Sequence, residues 1–381
     1  MGPVYRRTMI SEPEILDVRE PPGKAMGKVA ELWKPVEGTN KIMCTACARY
    51  CKIGEGQAGL CGIRGVHEGK LWLYVYGRVI TGHVDPIEKK PVSHYRPGSK
   101  IFSIATTGCN WLCKYCQNAD ISQRRKVEGI EVEPQDVVRM TLEQGCQGLA
   151  YTYNQPTIFI EFARDIGMMA RKAGLLNIFV SNGYDTPETV AEMPKFLDCV
   201  TVDFKGSGET NFVRKYINIP NADPIFQTLL DTRDTKKIHI EITDLIVPQV
   251  GDDLNAARKL SKWVYDNLGP DTPIHFLRFH PDYKMMEFPW TPVETLEKHC
   301  AVAKEEGLRY VYIGNVSGHP LEHTYCPGCG AVAIKRYGFD ITGWYLDKDN
   351  KCKKCGYQLA IFGRLERTAK ENRYYSVLYH R

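Results

Sequence analysis

From Ile101 to Val316 the chain repeats one pattern: a short run of consecutive apolar residues, then a longer stretch whose apolar positions recur every three or four residues. The continuous runs are Ile101–Ala105, Gly148–Tyr153, Asn177–Ser181, Val200–Phe204, Ile238–Leu245, Ile274–Phe279 and Tyr310–Gly314. Their length and β-branched content are those of strands buried on both faces. Helical periodicity intervenes at Pro134–Gln144, Pro156–Ala173, Pro187–Phe196, Glu209–Tyr216 with Pro224–Thr232, Asp252–Asn267 and Pro292–Glu306. Several of these stretches open on proline, a residue suited to the first helical turn. Strands alternating with helices predict a parallel sheet with helices outside it. A span of about 215 residues is short for a closed eight-unit barrel. The expected fold is therefore α/β, a partial barrel of about six βα units occupying residues 96–320.

The two ends follow other patterns. Residues 1–95 are read as an N-terminal extension; in about its first 40 residues, prolines at Pro3, Pro13, Pro21, Pro22 and Pro35 surround one short helical pattern, Lys24–Lys34, read as an arm leading into the fold. Lys70–Thr81 alternates aromatic and β-branched residues around Gly77 and reads as a bent strand or hairpin. His83–Lys100 is bounded by prolines and reads as an irregular loop, with His83 and His94 as ordinary core or surface histidines. In residues 321–381, Ala331–Tyr345 alternates like a small hairpin. The basic, aromatic end, Arg364–Arg381, would either dock on the body or meet a partner.

Composition narrows the class. Hydrophobic content of 43% and charged content of 25% suit a soluble globular protein. No run of eighteen apolar residues occurs, and the N-terminus is polar, with Arg6, Arg7, Glu12 and Glu14. Neither a membrane span nor a secretory signal is expected, and the cytoplasm is the expected location. A net charge of +5, with short basic runs at Arg124–Lys126 and Lys353–Lys354, does not by itself indicate nucleic acid.

The fourteen cysteines change the picture more, because without export they point to metal sites rather than disulfides. Cys109, Cys113 and Cys116 form C-x3-C-x2-C directly after the first strand, and no cysteine follows for thirty residues. Soft thiolates suit iron–sulfur clusters and zinc, and three of them leave one iron of a cubane open. The same spacing would fit a buried helical stripe, but Gly108, Asn110 and the preceding Thr106-Thr107 disfavour helix. Cys44, Cys47, Cys51 and Cys61 give four thiolates in C-x2-C-x3-C-x9-C, suited to structural zinc or to a fully ligated iron–sulfur cluster. Cys326, Cys329, Cys352 and Cys355 form two C-x2-C knuckles, the spacing of a zinc ribbon or rubredoxin-like site. Cys146, Cys199 and Cys300 stand alone and read as small buried residues.

Polar residues and glycines gather where the strands end: Tyr153 to Thr157, Ser181 to Tyr184, Asp203 to Gly206, His280 to Asp282, and Gly314-Asn315. Singly these are turn formers. Together, at carboxyl ends of parallel strands, they predict one binding mouth, the same one the cysteine loop reaches.

The runs CTACARYCKIGEGQAGLCGIR, YGRVITGHVDPIEKKPVSHYRPGSK, TTGCNWLCKYCQNADISQ and TYNQPTIF, within residues 40–362, resemble the radical S-adenosylmethionine (SAM) enzyme of the AmmeMemoRadiSam system, a relative of pyruvate formate-lyase activating enzymes. The resemblance implies a radical SAM partial barrel in which Cys109, Cys113 and Cys116 ligate a 4Fe-4S cluster. SAM would chelate the open iron and be cleaved reductively to a 5′-deoxyadenosyl radical that abstracts hydrogen. It further implies that Asn154, Gln155 and Pro156 meet the methionine amine and that Asp203, Lys205 and His280 lie near SAM; Ser181 and Asn182, at the mouth by their place after the third strand, are read as cofactor-binding with them. Related sequences carry glutamate where Gln155 stands, so a charge that would pair with the ammonium is lost. Expected partners are SAM, a protein reductant such as ferredoxin or flavodoxin, and a substrate that is either a small molecule or, as for activases, another protein. Two other readings fit the cysteines: a multi-zinc adaptor holding a protein or RNA partner, and an electron-transfer protein whose outer clusters feed the central one.

Overall fold

The structure, a computed structural model, describes residues 16–17, 27–365 and 374–379. Seven parallel strands follow one another in sequence order: β2 (Lys100–Ala105), β3 (Gly148–Tyr151), β4 (Leu176–Ser181), β5 (Cys199–Lys205), β6 (His239–Ile246), β7 (Ile274–Arg278) and β8 (Val311–Gly314). Helices α1 (Pro134–Glu143), α2 (Ile160–Lys172), α3 (Pro187–Glu192), α4 (Asp223–Asp234), α5 (Leu254–Leu268) and α6 (Val293–Glu305) fill the six crossovers. Because β8 does not pair with β2, the sheet is an open half-barrel of six βα units with a seventh strand, as the alternation predicted. Every residue of β3 is buried, as apolar strands covered on both faces must be. Under it Tyr151, Phe179 and Phe196 pack edge to face.

The sheet extends past β2 in a way the sequence pattern did not show. Thr81–Pro86, read as loop from His83 on, is β1 and runs antiparallel to β2, Thr81 facing Ala105 and Pro86 facing Lys100. The charges in this stretch disguised it: Asp85 is fully buried and takes ion pairs from Lys89 at 2.9 Å and Lys90 at 2.6 Å. On the outer edge of β1 lies β12 (Tyr375–Tyr379), so the described part of the basic tail docks on the body. The hairpin expected at Ala331–Tyr345 is β10 (Val332–Tyr337) with β11 (Asp340–Trp344), joined by β9 (Thr324–Tyr325) in a small three-stranded ribbon. A small core of Ala333, Ile334, Ile341, Leu346, Leu359 and Ile361 packs this ribbon onto Tyr310 and Tyr312 beside β8.

The helix read at Lys24–Lys34 is corrected: its first residues lie outside the described ones, and Lys28–Val29 and Trp33–Pro35 are short strands. They pair with Lys70–Leu73 and Ile42–Cys44, so tertiary pairing overrides a weak helical period. Among the described residues no helix is long and apolar enough to cross a membrane.

One buried ion pair fastens the N-terminal part to the barrel. Arg64 donates to Ile158 O at 2.6 Å and to Glu161 Oε1 at 3.0 Å, with a second contact to Oε2, and both side chains are 1–2% exposed. Burial alone would raise the Glu161 pKa, but Arg64 and the Glu31 N–H outweigh it and hold the carboxyl below its usual range. Removing one partner of such a pair strands the other charge, at a cost of about 3–5 kcal/mol. Glu161→Ala is therefore expected to lower the urea midpoint steeply, with Glu161→Gln intermediate; an unchanged midpoint would mean that water reaches Arg64.

Candidate functional site

A cavity of about 550 Å³ opens at the carboxyl ends of the parallel strands. Cys109, Cys113 and Cys116 all reach it from the loop after β2. That loop is pinned from several sides. Asn154 Nδ2 donates to Thr106 O at 2.8 Å and Gly108 O at 2.9 Å, Leu112 N to Ile217 O at 3.0 Å, and Lys114 N to Tyr216 O at 2.9 Å. Gly108 sits at φ +83°, a left-handed conformation that glycine takes without cost.

Burial pushes the Cys109 thiol up to about 11 and the Cys113 thiol well above its ordinary value; Cys116 is raised as well. Opposing this, N–H groups of Trp111 and Gln155 face the Cys109 sulfur, Ser122 Oγ lies 3.0 Å from the Cys116 sulfur, and the Lys205 ammonium lies near Cys113 and Cys116. Such donors favour thiolate, and a bound metal displaces the proton outright. Three convergent thiols with donors aimed at sulfur fit an iron–sulfur cluster held on one side and open on the other.

The residues expected around SAM fall into three positions. Asn154, Gln155, Asn182, Asp203 and Lys205 line the cavity. Pro156 and Ser181 are buried and are not among the lining residues; Ser181 accepts from Gln155 and donates to Asp185 instead. His280 stands at the rim beside Trp290, its Nε2 accepting from Gln117, which does line the cavity. Lys205 Nζ lies 3.0 Å from Asp203 Oδ2, and Thr243 Oγ1 donates to the other carboxylate oxygen. Burial works against the Lys205 charge, but Asp203 and Cys113 outweigh it and raise its pKa.

Gln155 is a hub rather than an open group. Its Nε2 donates to Thr157 Oγ1 and Ser181 Oγ at 2.8 Å and to Asp185 Oδ1 at 2.9 Å, and its Oε1 accepts from Asn182 N at 2.7 Å. Asp185 behind it is fully buried, and desolvation, only partly offset by Thr157, Gln155 and Ser181, pushes its pKa up to about 6. A glutamate at position 155 would set a second carboxyl against that one. Asn154 Oδ1, in contrast, is buried without a hydrogen-bond partner among the described residues.

Sequence reasoning missed the far wall. Lys89 and Lys90, in the stretch read as loop, and Arg336, Gly338 and Phe339, from the ribbon hairpin, line the same cavity. No local pattern marks them: the pairing of β1 with β2 brings the two lysines there, and the docking of the ribbon beside β8 brings the other three.

The other cysteines form two further groups. Cys326, Cys329, Cys352 and Cys355 have sulfurs all within 4.8 Å of one another, the facing pairs at 3.6 and 3.8 Å. Tetrahedral zinc, at about 2.3 Å from each sulfur, sets them about 3.8 Å apart. Cys44, Cys47, Cys51 and Cys61 line a second, small cavity with Arg49, Arg64 and Asn110. Cys146, Cys199 and Cys300 are buried singly.

A family model described as the radical SAM superfamily matches residues 103–263, from β2 through most of α5. An uncharacterized protein of Methanocaldococcus jannaschii is 41% identical over 327 residues, which are 84% of this chain and 96% of that protein. Among solved structures, a domain of pyruvate-formate lyase-activating enzyme from Bacteroides vulgatus aligns at 17% identity, covering 44% of this chain and 99% of that one, TM-score 0.38. A radical SAM methyltransferase from Sphaerobacter thermophilus aligns at 10% identity over 59% of this chain and 70% of its own, TM-score 0.45. Streptococcus suis SuiB bound to precursor peptide SuiA aligns at 10% identity over 60% and 51%, TM-score 0.45.

Proposed function

The chain belongs to the radical SAM superfamily, and we propose that it is an enzyme in which Cys109, Cys113 and Cys116 hold a 4Fe-4S cluster with SAM in the cavity beside them. The observation that carries this is the open array: three thiols reaching one cavity, with no fourth cysteine among its lining residues. When bound, the cluster and SAM supply reductive cleavage to a hydrogen-abstracting 5′-deoxyadenosyl radical.

This chain's own residues bind and orient. The unpartnered Asn154 Oδ1 is the acceptor for the methionine ammonium, the role that falls to a glutamate in related sequences. Lys205 and Asp203 offer one charge of each sign to a zwitterionic ligand. Gln155, with Asp185, fixes the turn that carries Asn182. Ser181 and Pro156 support this wall from behind, and His280 with Gln117 guards the rim. The substrate, a small molecule or a peptide segment of a partner as for an activase, enters against Lys89, Arg336 and Phe339. In this reading the chain divides into residues 1–95, the barrel at 96–320 and a zinc-bearing ribbon at 321–381. It works in the cytoplasm with a one-electron reductant such as ferredoxin or flavodoxin.

Oxygen-free reconstitution with iron and sulfide, then dithionite and SAM, is expected to yield 5′-deoxyadenosine. The product should vanish when Cys109, Cys113 and Cys116 are replaced together by alanine. Intact cluster with no SAM cleavage would overturn the proposal.

A further inference from the structure

We propose that Cys44, Cys47, Cys51 and Cys61 hold a second, fully ligated 4Fe-4S cluster rather than a zinc ion. The argument starts from the spread of the sulfurs. Only the Cys326 group, among the described residues, brings three or more ligand atoms all within 4.8 Å of one another. That is the geometry of a single tetrahedral ion, whose four sulfurs share one centre at about 2.3 Å. The N-terminal quartet surrounds one cavity, yet no three of its sulfurs meet that limit. The central triplet is spaced in the same open manner. Sulfurs that bind a cubane stand farther apart, because each ligates a different iron at a different corner. The chain therefore carries one compact thiolate site and two wide ones.

The surroundings of the quartet suit an anionic metal–thiolate group. Arg49 Nη2 is buried without a hydrogen-bond partner among the described residues, and Arg49 lines this cavity. Its Nε is already spent on Asn110 O at 2.8 Å. Metal-bound thiolates of either kind would accept from the remaining N–H, and a cubane adds four inorganic sulfides that widen the reach of such acceptors across the site. Arg64, on the same wall, offsets the negative charge that four thiolates and their cluster carry in common.

The two wide sites are neighbours. Asn110, directly after Cys109, lines the N-terminal cavity, and the Gly108 backbone packs onto the Cys61 carbonyl. Two iron–sulfur centres thus stand on opposite sides of the Gly108–Asn110 backbone.

The test is metal counting on full-length protein purified and reconstituted without oxygen. Wild type is expected to hold about eight irons, about eight acid-labile sulfides and about one zinc per chain. The Cys109→Ala, Cys113→Ala, Cys116→Ala triple variant is expected to keep about four irons and four sulfides, with the Mössbauer signature of a cubane. This variant leaves the N-terminal ligands untouched, so the second cluster is read even if SAM chemistry fails. Loss of Cys44 and Cys51 as serines should halve the iron; should that variant not fold, the triple variant still decides. Iron falling to background in the triple variant, whether or not a second zinc takes its place, overturns the assignment.

Discussion

Gly108→Ala is expected to empty the central cysteine loop of iron and to cut SAM cleavage at least ~100-fold, a barrier change of about 2.7 kcal/mol, while the four-cysteine site of the ribbon is left intact. Two costs coincide at this position. An alanine at φ +83° pays roughly 1–2 kcal/mol for the left-handed backbone. Its Cβ would also stand 2.3 Å from Cys61 O and 3.0 Å from Ile63 Cγ2. The first is a backbone atom, so no rotamer change relieves the contact. Either the 59–64 turn or the cysteine loop must move. The loop has little freedom, because Gly108 N donates to Ile121 O at 3.0 Å and Gly108 O accepts from Asn154 at 2.9 Å. Displacing it by the width of a methyl misplaces Cys109 relative to Cys113 and Cys116, and a cubane tolerates little error in its ligands. Gly69→Ala is the control: its φ is +67° and an added Cβ meets nothing within 4 Å, so it carries the backbone cost alone. Iron content and 5′-deoxyadenosine yield measured on both variants separate the two costs. Full iron in Gly108→Ala would show that the loop yields, and the packing argument would fail.

What the sequence made legible was whatever depends on short-range pattern. Seven apolar runs became seven parallel strands in order, since a strand covered on both faces needs no distant information to be recognised. The C-x2-C knuckles and the C-x3-C-x2-C loop were legible for a similar reason, because metal ligation constrains spacing within a few residues. Long-range burial defeated the rest. The His83–Pro86 part of β1 hid as a loop because its charge, Asp85, is neutralised by Lys89 and Lys90 inside the protein. Gln155 read as a ligand with its charge removed, whereas its amide is consumed by Ser181, Thr157, Asp185 and the Asn182 backbone. The open acceptor is its neighbour Asn154, and only three-dimensional accounting of hydrogen bonds reveals that. Arg336 and Phe339 lie more than two hundred residues from the cysteine loop in the chain, and their approach depends on how the ribbon docks.

That docking is the basis of the second large effect. Removing the metal from the ribbon, by chelation or by Cys352→Ser with Cys355→Ser, is expected to unfold residues 324–361 while the parallel sheet stays folded. The ribbon buries only a handful of apolar side chains of its own. Structural zinc in so small a module contributes about 10–16 kcal/mol, comparable to the whole stability of an ordinary domain. Contacts to the rest of the chain, among them Arg336 to Ser93 O at 3.1 Å, the Tyr312 hydroxyl with Thr324 Oγ1 at 2.8 Å, and His94 Nδ1–H to Ala360 O at 2.8 Å, are individually worth only about 1 kcal/mol and are not expected to make up that loss. His94 reports the event. Burial, not compensated by Glu241 or the Ala360 carbonyl, now holds it neutral with a pKa pushed down to about 3. Undocked, it returns toward its ordinary value of about 6.5. The sign follows from proton binding: between those two values the undocked state takes up a proton that the docked state refuses, so docking weakens as pH falls from about 6.5 toward 3. Thiolate protonation acts in the same direction by releasing the metal. Amide exchange should therefore lose its protection across β9 to β11 on metal removal, and at higher pH for the metal-free protein than for the holo form. With Arg336 and Phe339 withdrawn, the cavity loses its far wall, and an iron chelator should strip the central loop at least ~10-fold faster, a barrier change of about 1.4 kcal/mol. Unaltered protection of β10 and β11 without metal would mean that the hairpin stands on its core alone, and the coupling between ribbon and cavity would then have to be given up.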